Sequence, residues 1–296
     1  MGRELTVWQQ NLNKSQTGQH DLISSGKLIS SGIDIIAIQE PSINVLGLTV
    51  TSRDWIPLYP LTHKKDQRKT QAITLINSKL PTESWEQLEF QSGDVVVVKI
   101  MGSWGQIVLF NIYNDCSHDR TLNELTKFHR INRGLIVGNK TDSEMHHTIW
   151  LGNFNRHHPA WDRLEDHRLF TREALEMAEN LIKAIADHSL NMALAPGMPT
   201  HIHNVMKKWS RLDQVFVTEH TLEEKKICEA CIGERGLNTD HVPIVMKVDT
   251  NLGRTEKTKT SNFRDVDWDE FHKVLEERMS GFGILRRLAK SNRCKS

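Results

Sequence analysis

The sequence has little that would take it out of water or into an oxidising compartment. No apolar run approaches the roughly 18 residues that a membrane-spanning helix needs, and Met1-Gly2-Arg3-Glu4-Leu5-Thr6 carries no signal-peptide core. Those six residues fit the loose myristoylation pattern, but Leu5 and Val7 already alternate as strand residues, which argues against a lipidated arm. Cysteine is scarce: four in 296 residues, without a secretion signal, read as reduced thiols of an intracellular protein. Cys228 and Cys231 form a lone C-x-x-C. A structural zinc wants four ligands, and Cys116 and Cys294 stand apart, so ordinary thiols are the reading. Charge of one sign is also missing. The formal net charge is +1, so a nucleic-acid partner would have to be met by a local basic surface. Internal repeats are absent.

What is present suits a globular α/β chain. Apolar residues make up 38% and charged residues 25%, enough for a core and too little charge for global disorder. Short runs rich in Val and Ile predict strands at Leu5–Gln10, Ile33–Gln39, Ala72–Ile76, Val95–Ile100, Ile107–Tyr113, Thr148–Leu151, Leu212–Val217 and Val242–Val248. Helix spacing recurs in Leu122, Leu125, Phe128, Ile131 and Leu135, and in Ala174, Met177, Ala178, Leu181, Ile182 and Ile185. Intermixed strands and helices, with strands in excess, predict a layered fold over residues 1–249. Residues 250–261 read as a linker. Residues 262–296 read as a C-terminal helix, with Val266, Phe271, Val274, Leu275 and Met279 on one face, followed by a frayed basic tail from Arg286 to Ser296.

Polar residues gather where the predicted strands end. The ends carry Gln10-Asn11-Leu12-Asn13, Gln39-Glu40, Asn111-Ile112-Tyr113 and Asn153-Phe154-Asn155, while Asp213 opens one strand and Asp240-His241 precedes another. Packed strands present their ends together, so these groups are expected at one rim. Taken singly, each has a plain explanation: Glu40 before Pro41 as a surface turn, Asp213 paired with Arg211, Tyr113 as a core tyrosine. In an extended chain residues i and i+2 share a face, which would set Asn153 beside Asn155, suited to holding a water. An aspartate at position 153 could take the water's proton. An asparagine cannot, because its amide has no basic site near pH 7.

The order of these blocks resembles the endonuclease/exonuclease/phosphatase superfamily across residues 4–249. Gln10-Asn11-Leu12-Asn13, Ile38-Gln39-Glu40-Pro41, Leu151-Gly152-Asn153-Phe154-Asn155 and Thr239-Asp240-His241-Val242-Pro243 match its blocks. Within it, the chain is most similar to the apurinic-type endonuclease domain of LINE-type (non-LTR) retrotransposon polyproteins. That style shows in His157-His158-Pro159-Ala160-Trp161, in Gly197-Met198-Pro199-Thr200-His201 and in Ser210-Arg211-Leu212-Asp213-Gln214-Val215-Phe216. It also shows in Asn262-Phe263-Arg264 with Val266-Asp267-Trp268, like the segment that follows the nuclease in such polyproteins.

The resemblance implies a four-layer α/β sandwich, two mixed β-sheets packed face to face with helices outside. It implies a divalent cation, Mg²⁺ or alternatively Mn²⁺, with Glu40 as ligand because hard cations want carboxylate oxygens, supported by Asn11 and Asp240. It implies in-line hydrolysis of a phosphodiester. His241 and Tyr113 would lie at the phosphate, Asp213 would keep His241 protonated, and Asn155 would position the water or its base. The family's base is an aspartate where this chain has Asn153, which implies impaired cleavage. Lys64, Lys65, Arg68 and Arg156 are candidate DNA-facing cations, with Lys207-Lys208-Trp209 as a second basic segment; the tandem histidines His146-His147 and His157-His158 and the pair His201-x-His203 read as structural.

Three readings follow. The first is a DNA endonuclease acting on duplex DNA, intracellular and nuclear if its target is chromosomal, working beside a reverse transcriptase domain of a longer polyprotein. The second is a phosphatase or lipid phosphodiesterase of the same superfamily. Its support is one short apolar stretch, Val45 to Val50, and no membrane partner is expected. The third is a catalytically inactive nucleic-acid-binding module.

Overall fold

Runs of Val, Ile and Leu become strands because β-branched side chains fit a pleated, half-buried surface. In a computed structural model that describes residues 4–24, 26–102, 105–137, 145–250 and 268–280, they build two six-stranded sheets. Sheet one runs, edge to edge, β13 (Lys225–Ala230), β14 (Ile244–Asp249), β1 (Glu4–Asn11), β2 (Ile35–Gln39), β4 (Ala72–Asn77) and β3 (Trp55–Leu58). Sheet two runs β5 (Trp85–Leu88), β6 (Val95–Gly102), β7 (Gly105–Tyr113), β8 (Met145–Asn153), β12 (Asp213–Thr218) and β9 (Leu190–Met192). A two-stranded hairpin, β10 (His201–Ile202) with β11 (Trp209–Ser210), stands apart. Both sheets are mixed: β1 pairs β2 in parallel, β7 pairs β8 in parallel, and the other neighbours run antiparallel.

Side-chain parity explains the layering. Leu5, Val7, Ile35 and Ala37 of sheet one face Leu109, Ile149, Leu151, Val215 and Val217 of sheet two in a central core. Their neighbours point outward, as a period of two requires. Phe110, Trp150 and Phe216 pack with Leu122 and Leu125 of α3 (Arg120–Ile131) and with Ala178, Leu181 and Ala184 of α5 (Arg172–Asp187). Trp8, Ile36 and Ile38 pack with Ile23 of α1 (Gln16–Ser24) and Leu28 of α2 (Lys27–Ser30). Three cores between four layers give the sandwich, as expected from the sequence.

The differences have local causes. One helix was expected from 122 to 135; the structure has α3 and then α4 (Arg133–Val137), because Asn132 leaves helical geometry at φ −104°, ψ 26°. Ile131 is 68% exposed and does not join the buried face. Helix α1 lacks apolar spacing and is anchored by a buried glutamine: Gln19 donates to Thr49 and accepts from Ser42 N at 2.8 Å. Strands β3 and β13 are sheet edges. Pro57, without an N–H, is tolerated in β3 for that reason. A short helix, α6 (Glu219–Glu223), follows β12.

The sandwich lies in a unit that ends at Thr255; a second unit spans Glu256–Ser296. Of the latter, α7 (Trp268–Ser280) is described, with Val274 and Leu275 exposed. The expected linker beyond Thr250, Val266, the tail from Arg286, and the side chains of Phe271 and Met279 lie outside the described residues. Among the described residues no helix is long and apolar enough to cross a membrane.

Candidate active site

At one end of the sandwich the inward positions change from apolar to amide. Gln9, Gln39, Asn111 and Asp213 continue the parity of the central core yet are polar and at most 1% exposed. Gln9 Nε2 donates to Gln39 Oε1 at 2.6 Å and to Asp213 Oδ1 at 3.0 Å. Gln39 Nε2 donates to Asn111 Oδ1 at 2.6 Å, and Asn111 Nδ2 donates to Ile73 O at 2.7 Å. This network joins the sheets beneath the rim and gives partners to groups that would be costly if buried alone, although Gln9 Oε1 is left without one.

Glu40 sits where β2 turns away. Its φ of 45° is left-handed, a conformation that costs a non-glycine residue about 1–3 kcal/mol and persists where surroundings enforce it. Glu40 N donates to Gln71 O and Lys14 N donates to Glu40 O, each at 2.8 Å. Asn11 Nδ2 donates to Glu40 Oε1 at 2.9 Å, while Asn11 Oδ1 accepts from Asn13 N at 2.8 Å. Asn13 Nδ2 then reaches both oxygens of Asp240 at 3.4 Å. Two carboxylates on one polar chain are an oxygen donor set that fits a hard divalent cation. Asn11 is placed to orient Glu40, with its own oxygen already engaged.

The Asp213–His241 pair crosses from sheet two to the segment before β14. His241 Nδ1 lies 2.7 Å from Asp213 Oδ2, and both side chains are buried. Burial alone would lower the His241 pKa, but the charge and hydrogen bond of Asp213, with Asp240 and Glu40 beyond, raise it above the ordinary histidine value. Burial likewise opposes ionisation of Asp240, yet His201, with its Nε2 3.7 Å away, and the nearby His241 lower its pKa to about 2. Thr239 Oγ1 donates to Asn11 O at 3.0 Å and so ties this segment to the end of β1. Arg211 does not pair with Asp213; its guanidinium donates to Leu194 O at 3.1 Å and to Ala195 O.

In the strand register Asn153 stands opposite Asp213 on one side and Tyr113 on the other. Gly152 makes this approach feasible: its φ is +145°, and an added Cβ would lie 1.9 Å from Ile112 O. The side-by-side placement expected for Asn153 and Asn155 is corrected. β8 ends at Asn153, Asn155 turns to φ 51°, and Asn153 Oδ1 accepts from Asn155 N at 3.0 Å. The Asn155 amide donates to Asn114 O at 2.9 Å. Tyr113 is half-buried, and burial first, then Glu40, Asp115, Cys116 and Asp94, raise its pKa, so its phenol keeps its proton at neutral pH.

The expected DNA-facing cations divide. Lys65 and Arg68 line a groove of about 510 Å³ that also contains Tyr113; Lys69 of the same basic segment lines it too, as does Arg120, which was not singled out from the sequence. Lys64 is exposed outside that lining. Arg156 is a correction: it is 2% exposed. It is held by Asp119 at 2.7 Å and donates to the carbonyls of Asp115, Asn155, His118 and Met177. It braces the segment after Asn153 from within. His157 and His158 are local as well, with His157 Nδ1 3.2 Å from Asp162 Oδ2 and His158 Nδ1 accepting from Ala160 N. Burial pushes the Cys228 thiol up to about 12, which suits a structural thiol. Reading the sequence missed His201, which reaches Asp240 from the hairpin. It also missed the roles of Gln9 and Gln39, whose signal was glutamine at core parity.

Residues 107–245 match the family described as endonuclease-reverse transcriptase. No curated protein matches the chain. Among solved structures, the endonuclease domain of TRAS1, a telomere-specific non-LTR retrotransposon, is 18% identical with a TM-score of 0.63, covering 82% of this chain and 98% of its own. The AP endonuclease of Leishmania major is 15% identical with a TM-score of 0.64, over 83% of this chain and 88% of its own. A 3′ phosphatase from Neisseria, solved bound to product DNA hairpin, is 15% identical with a TM-score of 0.58, over 83% and 99%. The fold is that of the endonuclease/exonuclease/phosphatase superfamily, and the resemblance to LINE-type endonucleases read from the sequence holds.

Proposed function

We propose that this chain, built on the fold of metal-assisted nucleases, is a phosphodiesterase directed at duplex DNA, a retrotransposon-type nicking endonuclease slowed by Asn153. The observation that carries the reading is the buried Asp213–His241 pair, 2.7 Å apart, at the rim that also bears Glu40, Tyr113 and Asn153. A bound divalent cation, Mg²⁺ or Mn²⁺, would supply charge stabilisation at a phosphate oxygen, held by Glu40 and Asp240. The chain's own groups do the rest. His241, kept protonated by Asp213, faces charge that builds on phosphorus-bound oxygens. Tyr113 offers a phenolic proton to the same group. Lys65 and Arg68 track the strand along the groove. Asn153 holds Asn155 in place but accepts no proton, so the attacking water must lose its proton without help from that position.

Such an enzyme would supply a 3′-hydroxyl to a reverse transcriptase domain of a longer polyprotein. Asn153 also favours a second reading, a binding module that no longer cleaves. Two measurements test the proposal. Affinity for a labelled duplex should fall steeply with KCl, because each neutralised phosphate adds about 0.9 to the slope of log K against log salt. Nicking of supercoiled plasmid with Mg²⁺ should be slow and should vanish in His241→Ala. Salt-independent affinity would overturn the DNA assignment. Salt-dependent binding with no nicking under any divalent cation would leave the binding-module reading.

A further inference from the structure

His201 has no part in the chemistry above, yet it is fixed beside it. The β10–β11 hairpin docks on the segment before β14 through an isolated bridge between His201 and His241. Ile202 N donates to Asp240 O at 2.9 Å, and Val242 N to Thr200 O at 2.7 Å. The backbone thus brings two imidazoles and one carboxylate together. His201 Nε2 lies 3.7 Å from Asp240 Oδ2, and His241 Nε2 lies 3.9 Å from Asp240 Oδ1. The ligand atoms of all three residues lie within 4.8 Å of one another.

The outer partners complete the pattern. His201 Nδ1 lies 3.0 Å from Ser210 Oγ, and His241 Nδ1 lies 2.7 Å from Asp213 Oδ2. Asp240 Oδ2 also accepts from Asn204 Nδ2 at 2.9 Å. Each ring therefore has its Nδ1 tied back and its Nε2 directed at one carboxylate. Metal-binding histidines are oriented in this way, by a carboxylate, hydroxyl or carbonyl on the nitrogen that does not bind. Metal–nitrogen and metal–oxygen bonds of roughly 2.0–2.2 Å set tetrahedral ligand atoms about 3.3–3.6 Å apart, so each imidazole nitrogen must close on Asp240 by a few tenths of an ångström and the widest pair by about 1 Å.

We infer that His201, Asp240 and His241 form a binding site for a borderline-soft divalent cation of the zinc class, distinct from the hard-cation donor Glu40. Two imidazoles with one carboxylate select Zn²⁺, Co²⁺ or Ni²⁺ over Mg²⁺, which prefers oxygen donors and retains its water. Occupancy would turn His241 Nε2 from a proton carrier into a metal ligand. The two cations would share Asp240, so the site couples zinc-class metal to the phosphodiester rim. Binding is measured apart from cleavage, so loss of nicking activity does not decide it.

The test is titration calorimetry of the full chain with Zn²⁺, with Mg²⁺ in large excess. The expected result is one equivalent bound by the unaltered chain and by Glu40→Gln. Affinity should fall at least about tenfold in His201→Ala and in His201→Phe, each checked for an unchanged melting temperature without metal. Zn²⁺ affinity that is the same in both His201 variants, or that disappears in Glu40→Gln alone, or no Zn²⁺ binding to the unaltered chain, would overturn the site.

Discussion

Replacing Asn153 by aspartate asks whether this rim lacks only a proton acceptor. The side chain is 1% exposed, and its Oδ1 already accepts from Asn155 N at 3.0 Å. A carboxylate keeps that bond and exchanges the NH₂ group for a second acceptor of nearly equal size, so the fold should hold. In register the new carboxylate faces Asp213. Burial and the neighbouring negative charge would both raise its pKa above the ordinary aspartate value, which brings it nearer the range useful to a general base. A positioned base contributes about 10²–10⁴-fold, or roughly 2.7–5.4 kcal/mol of barrier at about 1.36 kcal/mol per decade. Asn153→Asp should therefore raise the single-turnover rate of plasmid nicking by at least about a hundredfold. The rate should fall as pH drops through the new group's raised pKa, and the added charge should weaken DNA binding. The double variant Asn153→Asp with His241→Ala should lose the gain. An increase below about tenfold in a variant that melts like the parent would refute the general-base assignment at this position.

Other outcomes follow from the same geometry. Gly152→Ala should cost at least about 3 kcal/mol in urea unfolding, because its Cβ would sit 1.9 Å from Ile112 O; a loss under about 0.5 kcal/mol would contradict the tight β7–β8 approach. Burial, with His188 beside it, lowers the His129 pKa to about 3, and burial with His220 and His146 lowers His147 to about 4. Unfolded histidines take protons near pH 6.5 while these folded ones stay neutral. Each contribution is thus fully present above that pH and is lost as pH falls toward about 4, at roughly 1.4 kcal/mol per unit. His129→Gln should flatten that limb in urea midpoints measured against pH, and an unchanged slope would reject the assignment. Arg156→Ala should lower stability by about 3 kcal/mol or more, since it strips a buried ion pair, and should leave the salt slope of DNA binding intact. Lys65→Glu should do the reverse, reducing the slope by about one with little change in melting temperature.

The two sheets were legible because strands buried on both faces, such as Ile35–Gln39 and Val95–Gly102, read as nearly continuous runs of Val and Ile. Edge strands such as Lys225–Ala230, half-buried and charged, leave no such pattern. The rim was legible through Glu40, Asp213 and Asp240-His241, because charged groups at strand ends stand out against apolar runs. His201 was not, because its role depends on a hairpin docking far along the chain. Arg156 was misread, because sequence position beside Asn153 says nothing about which way a long side chain turns. Asn155 was placed on an extended face that its left-handed backbone abolishes.

The amide ladder from Gln9 through Gln39 to Asn111 works as a latch. His241 belongs to one half of the molecule and its partner Asp213 to the other. The two stay in contact while the sheets stay joined, by this latch at the rim and by the apolar core behind it. Mild heat or urea that loosens this seam should abolish turnover before the layers separate, so lost activity should herald melting instead of tracking it.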